Sequence, residues 1–138
     1  MHSSIDSRSR ILCALAIFVG LSSSVLFYYD HRLNQAGIGS PLGFGDTITG
    51  TVSIWLQPWL ILLSLAGFPF WSIHFVTHLV VGFLSGGILA WITLLLNRRW
   101  RSLFWPITIL LGVLAASCSF YSFVDRKILE TRSIHHAP

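Results

Sequence analysis

An apolar run from Ile73 to Leu96, closed by Asn97-Arg98-Arg99-Trp100-Arg101, limits what this chain can fold into more than any other feature. As a helix rising about 1.5 Å per residue, it is long enough to cross the roughly 30 Å hydrocarbon layer of a bilayer. The arginine and tryptophan cluster is the stop expected where such a helix meets water. Steps of four through the run give His74, His78, Gly82, Gly86 and Ala90, so one face carries two histidines followed by small residues. Small residues let a second helix backbone approach closely, which is how helices associate in lipid.

Composition agrees with a membrane protein. Apolar residues make up 54% of the chain and charged residues 10%, with a mean hydropathy of +0.72. That is too little charge to cover a soluble surface. The formal charge of +4 comes from arginines that flank apolar stretches. They point to anionic lipid headgroups near Arg98, Arg99 and Arg101 and not to nucleic acid. Cys13 and Cys118 both lie inside apolar stretches, so no disulfide framework is expected.

Four spans are expected, at about 11–29, 51–71, 73–96 and 103–124, in one membrane domain covering 1–138. The fold class is therefore an all-α, multi-pass integral membrane protein, four helices in an up-down bundle with short tails. The first span follows a basic head with Arg8 and Arg10. It is longer than a signal-peptide core and lacks a small-residue cleavage site, so it reads as retained. Ala16, Gly20 and Ser24 form its own small-residue step, and Thr108, Gly112 and Ala116 form one in the fourth span. In the second span Gln57-Pro58 interrupts the helix, because proline removes a donor and the Gln57 amide needs an internal partner. The short link Gly67 to Trp71 implies a tight hairpin between spans two and three. Bases divide almost evenly between the two faces of such a bundle, so orientation is weakly marked.

The connection from Asp30 to Gly50 is rich in glycine and reads as a loop. Within it Gly43-Phe44-Gly45-Asp46 resembles the end of a potassium-channel selectivity filter, whose carbonyls replace an ion's water shell. Pro41 stands where the filter threonine belongs, and glycines interrupt what would be the pore helix, so the segment stays a loop.

No arrangement of residues reads as an enzyme. A nucleophile needs a base and a group to orient that base, and the spans carry serines and two histidines without an internal carboxylate. The metalloprotease pattern H-E-x-x-H fails, since Phe75 follows His74 and the spacing is His-x-x-x-His. A haem between His74 and His78 of one chain is excluded, because axial ligands approach the iron from opposite sides. The expected function is a non-enzymatic packing or assembly component, alone, as a homo-oligomer or with a membrane-protein partner. Its candidate intramembrane site is His74, His78, Gly82, Gly86 and Gln57. Two alternatives stand beside it. One is a small transporter or channel-like protein with a polar path at Gln57, His74 and His78. The other is a membrane subunit that binds a cofactor or metal through histidine, with Cys13 and Cys118 as further donors.

Overall fold

The computed structural model describes residues 6–38 and 74–135, and between them 48, 50, 51, 54–56, 58, 61, 62 and 65–67. Three long helices dominate: α1 (Ser7–Gln35), α2 (Phe75–Arg99) and α3 (Phe104–His135). A 3-10 turn at Arg101–Leu103 joins the last two. All three are long and apolar enough to cross a membrane, and no strand occurs among the described residues. Most of the second expected span, including Gln57 and the Phe68–Trp71 hairpin link, lies outside the described residues. So does the Gly43–Asp46 string. The described positions from 48 to 65 are helical.

Local chemistry sets the helix ends. α1 runs past Tyr29, where the first span was expected to end, and stops at a Schellman motif. Gly37 takes the left-handed conformation, φ 71°. The Ile38 amide then donates to the Leu33 carbonyl (3.0 Å) and the Gly37 amide to that of Asn34 (3.1 Å). The added turn is held by side chains four residues apart, Asn34 to Asp30 (3.1 Å) and Gln35 to His31 (3.2 Å). α2 ends at Arg98 and Arg99, cations that suit the negative end of a helix dipole. α3 tolerates Pro106 in its first turn, where the missing amide would be unsatisfied anyway. It continues to His135, well past the expected end near Val124. At 1.5 Å per residue it is about 48 Å long, so its last turns leave the hydrocarbon. There Glu130 pairs with Arg126 (2.8 Å) and Lys127 (3.0 Å) on an exposed face.

α1 is the central helix: α2 and α3 each pack along it and scarcely touch one another. Its contacts fix the directions. Tyr28 meets Phe75 with ring centroids 5.3 Å apart, and Gly20 meets Gly82 and Gly86, so α1 and α2 are antiparallel. The Arg8 guanidinium lies 5.4 Å from the Phe104 ring centre, and the Ser22 and Ser119 hydroxyls are 3.2 Å apart, so α1 and α3 are parallel. An up-down bundle of four spans demands the reverse, with spans one and three parallel and spans one and four antiparallel. The chain instead leaves α1 and starts α2 at the same end of the bundle, and Ser7 and Ser133 lie at opposite ends. As a result Arg8 and Arg10 share one end with Arg98, Arg99 and Arg101.

The core forms two clusters along α1. One joins Leu12, Ala16 and Val19 to Ala90, Phe104, Leu111 and Ala115. The other joins Leu26 to Leu56, Val81 and Cys118. On α3 the buried positions are Phe104, Leu111, Ala115, Cys118, Ser122 and Asp125. Those separations of seven, four and three residues are the seam of a left-handed helix pair. The Thr108-Gly112-Ala116 step is not that face: a β-carbon on Gly112 would meet nothing within 4 Å, and Ala116 is exposed. Alternating steps of three and four keep a contact on a straight neighbour, whereas repeated steps of four drift around the helix.

Candidate functional site

The crossing of α1 and α2 is where backbones come nearest. A β-carbon on Gly20 would lie 2.5 Å from both the amide nitrogen and the α-carbon of Gly86, and would collide with the Gly82 carbonyl oxygen. One on Gly82 would lie 2.9 Å from the Gly20 carbonyl oxygen and from the Ser24 β-carbon. One on Gly86 would lie 2.8 Å from the Ile17 α-carbon. These obstacles are mostly main chain, which cannot rotate aside, so the approach depends on glycine at all three positions. The Ala16-Gly20-Ser24 step of α1 thus faces the His78-Gly82-Gly86-Ala90 step of α2.

His78 sits one turn above this contact, 7% exposed. Its carbonyl accepts a hydrogen bond from the Ser24 hydroxyl. Its ring packs against Tyr28 (5.4 Å between centroids, edge-on) and Phe27 (5.9 Å, tilted). Phe27 in turn stacks on His31 at 6.3 Å. Among the described residues His78 Nδ1 has no hydrogen-bond partner. His74 does not join it. It is exposed and occupies the N-cap of α2 in extended conformation (φ −87°, ψ 121°), so the helical step that would align the two imidazoles starts only after it. The carbonyl of His74 accepts from the Thr77 amide at 2.9 Å, which makes it a helix-start residue. Gln57 lies outside the described residues.

The other buried hydroxyls are satisfied close to home. Ser23 donates to the Val19 carbonyl (2.7 Å), Ser85 to that of Gly82 (3.1 Å), Thr93 to that of Ala90 (2.9 Å) and Ser122 to that of Cys118 (2.6 Å). Such back-bonding is how hydroxyls are carried inside a bilayer. Ser22 and Ser119 bridge α1 and α3 through their side chains. The Ser24 hydroxyl is committed to the His78 carbonyl, so it is not poised as a nucleophile for that imidazole. Cys118 is fully buried in the cluster with Leu26, Leu56 and Val81, and Cys13 belongs to the other cluster. Among the described residues no three His, Cys, Asp or Glu side chains converge on a point that could hold a metal.

Beside the crossing lies a cavity of about 280 Å³, walled by Val19, Gly20, Ser23, Ile48, Thr51, Trp55, Leu89 and Leu114. Its wall is almost wholly apolar. A second, polar cavity of about 260 Å³ lies at the arginine-rich end, between the start of α1 (Asp6, Ser9) and the end of α2 (Leu94, Asn97, Arg98), with Arg101 beyond it. Sequence reasoning missed Ser24 as a partner of His78, although Ser24 stands in the small-residue step of α1. It also missed Asn97, which reads as part of the interfacial stop and is in fact buried. No known protein family matches the chain, and neither a curated protein nor a solved structure matches it.

Proposed function

We propose that this chain is a non-enzymatic, multi-pass membrane protein that acts through helix packing, as an assembly component in lipid. The observation that carries this reading is the glycine contact of α1 with α2, where Gly20, Gly82 and Gly86 bring main chains together. His78 belongs to that contact as a packing group between Ser24, Phe27 and Tyr28. Large apolar side chains on the outer faces of α2 and α3, among them Phe83, Leu84, Trp91, Leu110, Val113 and Phe120, are left for lipid or a partner chain. The directions of the three helices support an odd number of complete crossings, with the ends of the described chain on opposite sides of the membrane.

One observation keeps the transporter reading in play: the unpartnered Nδ1 of a buried histidine, since an imidazole in a membrane can relay protons. Against it, the wall of the cavity beside the crossing is mostly apolar, with Ser23, Thr51 and the Trp55 indole as its polar groups among the described residues. The two readings separate in liposomes that hold a pH gradient. Reconstituted wild-type protein is expected to collapse the gradient no faster than empty vesicles. A proton flux that is abolished by His78→Phe would overturn the packing role and establish the transporter.

A further inference from the structure

The polar cavity at the arginine-rich end is built of groups that have not paired with each other. Asp6 is the N-cap residue of α1, yet its carboxylate makes no cap bond. Among the described residues neither Arg98 nor Arg101 forms an ion pair with it, although all three line the same cavity. Asn97, also part of the wall, is 7% exposed, and its Oδ1 is buried with no hydrogen-bond partner among the described residues. A buried amide left unsatisfied is destabilising, so such a group is normally met by a partner. Leu94 gives the cavity an apolar floor. The exposed Trp100 and Trp105 stand at the same end, the level at which aromatic belts meet phospholipid headgroups.

We infer that this cavity is a binding site for a phospholipid headgroup that carries a primary ammonium beside its phosphate, the phosphoethanolamine group. Arg98 and Arg101 supply donors for the phosphate oxygens. The Asp6 carboxylate, and the Asn97 amide oxygen once that amide turns toward the cavity, supply acceptors for the three N–H bonds of the ammonium. Charge complementarity selects this headgroup over its relatives. A choline group has no N–H to offer the two acceptors. A headgroup that is only anionic satisfies the arginines but must lie against the Asp6 carboxylate. The acyl chains then run down past Leu94 into the hydrocarbon. The inference is independent of the packing role proposed for the α1–α2 crossing, which lies several helical turns away.

The test uses the full chain in detergent, incubated with equal amounts of phosphatidylethanolamine, phosphatidylcholine and phosphatidylglycerol, and counts retained lipid by native mass spectrometry. Phosphatidylethanolamine should be retained about tenfold better than phosphatidylcholine, the scale of one charge-assisted hydrogen bond. Asp6→Asn, an exposed and conservative change, should erase that preference while leaving the unfolding temperature unchanged. Arg101→Gln should weaken retention of phosphatidylethanolamine and phosphatidylglycerol together. Equal retention of all three lipids by wild-type protein would mean an ordinary annular shell and would overturn the site. So would preference for phosphatidylglycerol, which leaves the arginines as a simple anion patch, or an ethanolamine preference that survives Asp6→Asn.

Discussion

Gly20→Leu is expected to abolish the native packing of the three helices, with no folded protein recovered in mild detergent or a loss of stability well beyond the usual overpacking cost. Inserting bulk into a packed interior typically costs about 1–3 kcal/mol when side chains can shift. At Gly20 the first added carbon already meets the Gly86 backbone at 2.5 Å and the Gly82 carbonyl, so α1 and α2 must separate along the whole crossing. Their separation would also break the Ser24 bond to the His78 carbonyl. Gly82→Leu and Gly86→Leu should behave in the same way. Gly87→Leu and Gly112→Leu are the controls, because a β-carbon at either meets nothing within 4 Å. Thermal unfolding followed by circular dichroism compares the five variants. Similar stability across all of them would place the α1–α2 contact elsewhere.

Phe104→Ala should produce the second large effect, a loss of about 3 kcal/mol, within the range for deleting a buried aromatic side chain. Phe104 is 6% exposed and closes the cluster of Leu12, Ala16, Val19, Leu111 and Ala115 at the start of α3. Its ring also receives the Arg8 guanidinium at 5.4 Å, a contact that ties the first turn of α1 to α3. The neighbouring Trp105 is the larger residue but is 68% exposed. Trp105→Ala should therefore change unfolding in detergent by less than about 1 kcal/mol, the size of an ordinary surface effect. If the tryptophan variant is the less stable of the two, α3 is rotated from the face described above.

The sequence makes the helices legible because apolar length is a strong signal, and it makes the α1–α2 contact legible because both small-residue steps use one spacing. Ala16-Gly20-Ser24 and His78-Gly82-Gly86 can be read directly, although nothing in either step says that the two belong to each other. Helix direction was not legible. Apolar length marks a span but carries no sign of which way it runs against its neighbours. The contact face of α3 was hidden for a different reason: its seam alternates between three and four residues and mixes Phe104, Leu111, Ala115, Cys118 and Ser122, without a glycine to mark it. His74 illustrates the limit of periodicity. Its spacing to His78 is helical, but the residue caps the helix and points its chemistry outside. Asn97 was concealed by its neighbours, since the two arginines that follow it suggest exposure, while α1 covers that turn of α2.

The central claim is that α1 lies in the middle, antiparallel to α2 and parallel to α3, and disulfide trapping in the membrane tests it most directly. In a background with Cys13 and Cys118 replaced by alanine, Ser22→Cys with Ser119→Cys should oxidise readily, since the native hydroxyls are 3.2 Å apart and a disulfide needs α-carbons within about 7 Å. Ser9→Cys with Ser133→Cys should not form a bond, because those residues lie at opposite ends of parallel helices. Failure of the first pair together with ready formation of the second would contradict the arrangement and restore the up-down bundle of four spans.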